Sequence, residues 1–125
     1  WDAAGGAFSW GHGGSGRLGL GHAQHCRSPS PVKALRDESV CGVGCGANFT
    51  LFMTDSRHAL WATGSNRYGQ LGMGSADSLS MSEVPVRMDF PPADHELTSL
   101  SCGANHVLCI TRPPPAEERP VAWAW

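Results

Sequence analysis

Three side chains near the N-terminus, His22, His25 and Cys26, have the chemistry of metal ligands and lie close together in the sequence. Imidazole and thiolate groups are both common zinc ligands. The sequence offers no fourth ligand nearby, and no similar cluster occurs at the equivalent place later in the chain. The pattern is therefore more typical of a solvated loop, and it predicts no metal site.

A glycine pattern in the same region matches the fingerprint of dinucleotide-binding proteins. Gly11, Gly13 and Gly16 have the spacing of that motif and follow a stretch with strand character. The binding mechanism also needs a helix whose N-terminus faces the pyrophosphate, and residues 17–21 (Arg-Leu-Gly-Leu-Gly) do not favour a helix. The glycines are interpreted as a structural loop, and no cofactor is predicted.

The sequence shows no arrangement of side chains typical of an enzyme. An active site needs a nucleophile with a base, or paired carboxylates, on converging loops. The serines and cysteines do not occur in a nucleophile-elbow pattern, and the acidic pairs at 37–38 and 117–118 are typical of solvated turns. We therefore expect no catalytic activity in this chain.

An internal repeat determines where these side chains are placed. Residues 11–21 and 64–74 share four glycines and a leucine at matching places, while the residues between them differ. Glycine at a fixed place usually marks a positive φ angle or a close backbone approach, so we expect both loops to follow the same path. The shared positions are Gly11, Gly16, Leu18, Gly19 and Gly21 in the first loop and Gly64, Gly69, Leu71, Gly72 and Gly74 in the second.

A second pair of segments supports the repeat. Cys45 and Gly46 recur as Cys102 and Gly103, each pair being followed by Ala and Asn. His106, which follows the second pair, is expected to be buried and hydrogen-bonded to the backbone. The chain is expected to be a piece of a longer array. Its predicted parts are a first repeat (1–58), a second repeat (59–112), a proline-rich loop (113–120) and the start of a third repeat (121–125).

The composition argues against several classes of partner and location. Hydrophobic residues make up 41% of the chain, and the net charge is −2 with scattered basic residues, so there is no electrostatic reason to expect binding to nucleic acid or an anionic membrane. No apolar stretch approaches the ~18 residues of a membrane-spanning helix. The five cysteines are expected to be reduced thiols. We therefore expect an intracellular, cytoplasmic protein, with a nuclear or cytoskeletal location as alternatives.

Short strands are predicted between the turns of both repeats, because aromatic and β-branched residues favour strands and 16 glycines and 9 prolines disfavour long helices. Small residues at 40–45 would let such strands crowd around a common axis. The predicted strands are 7–10, 32–35, 40–45 and 49–54 in the first repeat and 59–63, 84–88, 97–101 and 107–111 in the second.

Taken together, these features resemble the regulator-of-chromosome-condensation repeat. The resemblance is carried by Phe8-Ser9-Trp10-Gly11, both glycine loops, the Pro31-Val32 pair and residues 102–106 (Cys-Gly-Ala-Asn-His), and it covers residues 6–112. Tryptophan-aspartate repeats are too short, at ~40 to 45 residues, and kelch repeats of ~50 residues fit the length better, but the second copy lacks their glycine doublet. The resemblance implies an all-β, seven-bladed propeller, of which this chain supplies about two four-stranded antiparallel blades.

The resemblance also implies what the protein does. The leading expectation is a non-catalytic scaffold for protein–protein interaction, and the alternative is a guanine-nucleotide exchange factor for a small GTPase. A third possibility places the propeller beside a ubiquitin-ligase or kinase domain outside this sequence. The expected partners are a protein of unknown identity, with a small GTPase as one candidate, and the remaining blades of the propeller.

Arg67 and Tyr68 are the predicted partner-binding residues. Between the two loops the glycine frame is constant, but the residues at three filler places change, and we expect these fillers to be exposed. An arginine beside a tyrosine offers the groups that interface hot spots favour. The alternative is that Tyr68 packs over its own loop. The changed fillers are His12, Ser15 and Arg17 in the first loop and Ser65, Tyr68 and Gln70 in the second.

Overall fold

The computed structural model describes residues 5–55, 59–73, 80–114 and 119–125. These residues form nine β-strands and two short 3-10 turns, at Gly14–Gly16 and Lys33–Leu35, and they contain no α-helix. The predicted all-β fold is therefore confirmed. In chain order the strands are β1 (Phe8–Gly11), β2 (Cys26–Pro31), β3 (Val40–Cys45), β4 (Phe49–Thr54), β5 (Leu60–Ser65), β6 (Met81–Arg87), β7 (Glu96–Cys102), β8 (Val107–Arg112) and β9 (Val121–Ala124).

The strands pair into three antiparallel sheets in which neighbours along the chain are neighbours in space. We call them sheet A (β1–β2), sheet B (β3–β4–β5–β6) and sheet C (β7–β8–β9). Small meandering sheets of up to four strands are the blades of a β-propeller. Sheet B is one complete blade, and sheets A and C are parts of two others.

The sheets are out of phase with the sequence repeat. Sheet B takes β3 and β4 from the first repeat and β5 and β6 from the second. The repeat boundary predicted between residues 58 and 59 therefore falls inside a single sheet. Nine strands is the number expected for two four-stranded blades and one further strand, but they are divided among one complete and two partial sheets. A single repeat consequently cannot form a complete sheet by itself.

The edge strand predicted at residues 32–35 is wrong. This segment contains the 3-10 turn, which buries Leu35 completely, and the strand lies just before it, as β2. Prolines in that stretch disfavour a helix, and β2 accommodates them because it is at the edge of its sheet, where a missing backbone N–H does not need a partner. Pro31 lies opposite Phe8 in the β1–β2 pair.

Both faces of sheet B are buried. Successive residues of a strand point to opposite faces, and Leu51 and Phe52 of β4 are both inaccessible to solvent. Phe52 packs with Val32, Leu35 and other residues on the side of sheet A. Leu51 belongs to a larger cluster on the side of sheet C, formed by Phe49, Leu51, Leu60, Ala62, Leu71, Met88, Leu97, Val107 and Cys109.

The first strands of sheets B and C, β3 and β7, approach each other closely. A Cβ atom at Gly44 would lie 2.7 Å from the sulfur of Cys102, so only glycine fits without a shift. The turns that follow these strands are joined by a hydrogen bond from the Ala47 N–H to the Ala104 carbonyl oxygen, at 3.0 Å. Small side chains therefore allow these two strands to crowd together, as the sequence predicts.

Two equivalent glycines allow a test of how much the contact between strands contributes. Gly11 and Gly64 have φ angles of +105° and +108°, but a Cβ at Gly64 would collide with the backbone of Asn48, whereas nothing lies within 4 Å at Gly11. We expect Gly11→Ala to lower the free energy of unfolding by about 1 kcal/mol through backbone strain alone, and Gly64→Ala by about 2 kcal/mol more through the collision. Urea denaturation of both variants measures the difference. Equal losses would show that the packing at Gly64 does not matter.

Candidate functional site

The two glycine loops, residues 11–21 and 64–74, share the backbone conformation of their equivalent glycines, but they differ at Ser15, which has a φ of +60° whereas the equivalent Tyr68 does not have a positive φ. Gly74 lies outside the described residues. Three pairs of equivalent glycines can be compared, and all six have a positive φ that side chains disfavour, which confirms the expected match in conformation. The φ angles are +105° and +108° for Gly11 and Gly64, +72° and +77° for Gly16 and Gly69, and +69° and +65° for Gly19 and Gly72.

Matching hydrogen bonds stabilise this conformation in both loops. In the first loop the Gly16 N–H donates to the Gly13 carbonyl oxygen at 3.1 Å, and in the second the Gly69 N–H donates to that of Asn66, also at 3.1 Å. Gly19 and Gly72 in turn donate to the carbonyl oxygens of the glycines three residues before them, each at 3.0 Å. Leu18 and Leu71 are both buried beneath their loops.

The first glycine loop is attached to the neighbouring sheet. The Thr63 hydroxyl, on β5 of sheet B, is 2.9 Å from the Gly16 carbonyl oxygen, and the Thr50 hydroxyl donates to that of Arg17 at 2.8 Å. The Gly21 N–H donates to the Glu83 carbonyl oxygen on β6. The loop that follows β1 is therefore fixed by strands of sheet B.

The second glycine loop is attached to sheet C in the same way. The Trp125 indole N–H donates to the Gln70 carbonyl oxygen at 3.1 Å, and Gly72 lies directly beneath Trp125 and Met88. Trp125 and Thr63 occupy the same position of the repeat. In both loops, therefore, a side-chain donor from the next sheet lies within hydrogen-bond distance of a loop carbonyl oxygen. The Thr63 hydroxyl is equally close, at 2.9 Å, to the Ser82 carbonyl oxygen.

The repeated cysteine–glycine pairs mark the turns after β3 and β7. The Gly46 N–H donates to the Phe49 carbonyl oxygen and the Gly103 N–H to that of His106, both at 2.9 Å. The Phe49 ring lies against Gly46, and the His106 ring lies against Gly103. A Cβ atom on either glycine would collide with the ring. Cys102 is the last residue of β7, and desolvation raises the pKa of its thiol to about 11. The equivalent Cys45 is exposed.

The prediction that His106 is buried is wrong. Its counterpart Phe49 is 1% exposed because it lies opposite Gly64 of β5. The His106 side chain is instead exposed.

The structure separates the three side chains first considered as metal ligands. His22 accepts a hydrogen bond from the Gln24 N–H, and the Cys26 sulfur is 2.8 Å from the Ser30 hydroxyl. His25 instead packs against His12, with ring centroids 4.3 Å apart. Within the described residues, no group of three or more His, Cys, Asp or Glu side chains is placed to hold a metal ion.

Sequence reasoning missed the contact between His12 and His25. The two rings meet because Gly11 pairs with Cys26 across β1 and β2. The His25 Nδ1 accepts the Gly13 N–H at 3.0 Å, and the His12 Nδ1 accepts the Gly14 N–H at 3.1 Å. Desolvation of the ring, the charge of Arg17 and the proximity of His25 lower the pKa of His12. The neutral form of His12 is therefore favoured in the folded protein.

Arg67 and Tyr68 are both exposed at the tip of the second loop. Tyr68 is 65% exposed, which disagrees with the alternative that it packs over its own loop. The Arg67 guanidinium carbon is 5.9 Å from the centre of the tyrosine ring, a distance that allows a cation–π interaction. The Tyr68 N–H donates to the Gln70 Oε1 at 2.8 Å, and the Leu71 N–H to the Asn66 Oδ1 at 3.1 Å. The loop thus holds a cationic and an aromatic group on a fixed backbone.

The prediction that all the filler residues are exposed is wrong for four of them, of which Ser65 is half-buried at the end of β5. Gln70 is 1% exposed, because its side chain accepts the Tyr68 N–H inside the loop. Arg17 is half-buried and donates to the carbonyl oxygens of Gly14 and Ala47, so its guanidinium has a structural role. Ser15 is half-buried in the 3-10 turn.

Comparison with known proteins identifies a family for this arrangement of loops and sheets. A family model described as the regulator of chromosome condensation (RCC1) repeat matches residues 4–53 and 57–110. A second model with the same description matches residues 40–70, a span that crosses the repeat boundary, as sheet B does.

Individual relatives and solved structures agree with the family models. Human E3 ubiquitin-protein ligase HERC2 is 33% identical over 104 residues, which cover 83% of this chain and 2% of that protein. Human X-linked retinitis pigmentosa GTPase regulator is 36% identical over 96 residues, or 77% of this chain and 9% of the relative. The crystal structure of Prp20p from Saccharomyces cerevisiae superposes with a TM-score of 0.74 and 27% identity, over 93% of this chain and 27% of that one. The chain therefore spans only a small part of the proteins that it matches.

The described part of the chain contains no helix that is both long and apolar enough to span a membrane.

The two histidines predict a pH-dependent first loop. Because the pKa of His12 is lowered on folding, the stabilisation from its neutral ring is complete above about pH 6.5 and is lost as the pH falls through the lowered pKa. Protonation at Nδ1 removes the acceptor of the Gly14 N–H. We expect the amide resonance of Gly14, which donates to His12, to move in NMR spectra between pH 7.5 and 5, with a midpoint below about 6.5.

The second glycine loop is the control for this measurement. Its described residues contain no histidine, so the amide resonances of Gly69 and Gly72 should stay in place over the same pH range. Equal movements in the two loops would mean that the histidines do not stabilise the first loop.

Proposed function

Because the chain belongs to the family of regulator of chromosome condensation (RCC1) repeats, we propose that it forms part of a non-catalytic scaffold that binds a protein partner through its loops. The observation that carries this function is the exposure of Arg67 and Tyr68 on a loop whose backbone is held by internal hydrogen bonds and by Trp125. Interface hot spots are enriched in tyrosine and arginine.

The attachment of the second loop supports its use as a binding surface. Association is opposed by the loss of conformational freedom, and residues that are already fixed lose less of it. Gln70 and Asn66 accept backbone N–H groups inside the loop, and Trp125 fixes it from sheet C. Tyr68 therefore projects from a backbone that does not need to order when a partner binds.

The proposed location is intracellular. All five cysteines are free thiols, and the chain contains no disulfide. Cysteines usually remain reduced in proteins of the cytosol and nucleus, and either compartment is consistent with the proposal.

A second candidate function is nucleotide exchange on a small GTPase. It is favoured by the relatives: one of them is a GTPase regulator, and the structure of Prp20p is described together with its binding properties to Gsp1p and histones. Release of fluorescent GDP from purified Gsp1p in the presence of this chain would distinguish exchange from simple scaffolding. If the chain accelerates GDP release, it is better described as part of an exchange factor than as part of a scaffold.

Replacing both exposed residues tests the scaffold proposal. We expect Arg67→Ala with Tyr68→Ala to weaken the capture of bound proteins from a cell extract by about 1 kcal/mol or more, roughly fivefold in affinity. Stability should change little, because Arg67 and Tyr68 are exposed and surface substitutions usually alter it by about 0.5 kcal/mol or less. Quantitative mass spectrometry of the captured proteins and urea denaturation measure the two effects.

The matched control is Arg36→Ala with Val84→Ala, which also removes one exposed cation and one exposed apolar side chain. Proteins that are retained by the control and lost by the loop variant bind through the second loop. If both variants retain the same proteins, Arg67 and Tyr68 do not form the binding site. A large loss of stability in the loop variant would instead assign these residues to packing.

A further inference from the structure

A cavity of about 380 Å3 lies beside the first glycine loop, away from Arg67 and Tyr68. It forms where β1 and β2 end, because the register of these strands shifts between Ser9 and Gly11. Two histidines, an arginine and an exposed tryptophan are among its walls. The lining residues are Trp10, Gly11, His12, His25, Cys26 and Arg27.

The hydrogen bonds of the two histidines determine what this cavity can bind. Each ring uses Nδ1 to accept a backbone N–H, from Gly14 at His12 and from Gly13 at His25. A neutral ring carries its single proton on the other nitrogen, so both Nε2 atoms are donors. A metal ion needs a lone pair at Nε2 and is therefore disfavoured. Together with the Arg27 guanidinium, the cavity presents donors suited to an anion.

The distribution of charge along the chain favours the same class of ligand. Residues 3–36 contain four Arg or Lys and three His but no Asp or Glu, whereas residues 37–125 contain five Arg or Lys and ten Asp or Glu. Glu83 of sheet B approaches the loop at Gly16, and it is not among the residues that line the cavity. The cavity therefore lies in the basic part of an otherwise acidic chain.

The contacts of the first loop with sheet B show where an equivalent glycine loop would pack on sheet A. Most of the cavity lies beside that surface. The first loop contacts sheet B at Thr63, Ser82, Glu83 and Pro85. In the repeat, these positions correspond to Trp10, Ser28, Pro29 and Pro31 of sheet A. A glycine loop packed on sheet A in the same way would contact Trp10 but not His12, His25 or Arg27.

We propose that this cavity binds an anionic oxygen group, phosphoryl or carboxylate, carried by a segment of a protein partner. The two Nε2–H groups and the guanidinium donate to the anion, and charge-assisted hydrogen bonds of this kind are the stronger ones.

A protein segment fits the cavity better than a nucleic acid does. Nucleic-acid affinity comes from several cations placed along the phosphate backbone. Here a single arginine and two neutral imidazoles line one small cavity, and the rest of the chain is acidic. The protein partner is common to this inference and to the proposed function, but the two sites share no residue.

Titration of the full chain with defined probes tests the inference at pH 7.5. The probes are a short phosphoserine peptide, the same peptide with glutamate or with unmodified serine at that position, inorganic phosphate, and a duplex DNA oligonucleotide. NMR signals of the histidine rings report binding. We expect the phosphoserine or the glutamate peptide to move the signals of His12 and His25 in a saturable way, while the signals of His22, outside the cavity, stay in place and the serine peptide has no effect. The stronger of the two anionic peptides identifies the group that is bound.

Two variants with the same change in charge make the test specific. Arg27→Gln should weaken binding of the anionic peptide by about tenfold, whereas Arg36→Gln, at an exposed arginine outside the cavity, should leave it unchanged. Both positions are exposed, so both variants should fold. Equal affinities for Arg27→Gln and the unmodified chain, or a stronger response to DNA than to peptide at equal phosphate concentration, would overturn the inference.

The variant Arg67→Ala with Tyr68→Ala separates this inference from the proposed function. It should bind the anionic peptide with the affinity of the unmodified chain, because its changes lie in the second loop. If peptide binding is retained while protein capture is lost, both assignments stand. Failure of peptide binding with normal protein capture would reject the anion site alone.

Discussion

A hydrogen bond between each glycine loop and the next sheet is the interaction on which the rest of the structure depends. Thr50 and Thr63 of sheet B place their hydroxyls within 2.9 Å of carbonyl oxygens of the first loop, and the Trp125 indole N–H donates to one of the second. For that oxygen to face the donor, the loop must turn through backbone conformations with positive φ, which is why glycines stand at fixed places. The same contact sets the distance between the sheets, so the buried clusters on both faces of sheet B form at the places where the loops are attached.

The constraint on the backbone leaves the intervening side chains free to vary. Where the second loop has Arg67 and Tyr68, the first has Gly14 and Ser15, and the first is instead stabilised by His12, within the loop, and by His25, just before β2. Two loops of one shape therefore present an aromatic–cationic tip in one case and a cavity lined with donors in the other. Conserved shape with variable chemistry is what a scaffold needs to bind different partners.

Much of this architecture could be predicted from the sequence, because glycine and small residues constrain the backbone directly. The bounds of β3 and β4 agree with the prediction, and so do the matched φ angles of the loops. Predictions failed where a contact distant in sequence decides the outcome. Burial of Gln70 follows from the path of the loop, and the contact of His12 with His25 follows from the β1–β2 register. Neither of these outcomes can be recognised from a local pattern in the sequence.

The offset between repeat and sheet also bears on how such a protein changes its length during evolution. A gene segment that encodes one repeat carries the last two strands of one sheet and the first two of the next. If that segment is duplicated or lost, the flanking half-sheets meet and pair with each other, so every internal sheet still has four strands. The array can therefore gain or lose a unit without creating an unpaired edge, which would expose backbone groups to other chains.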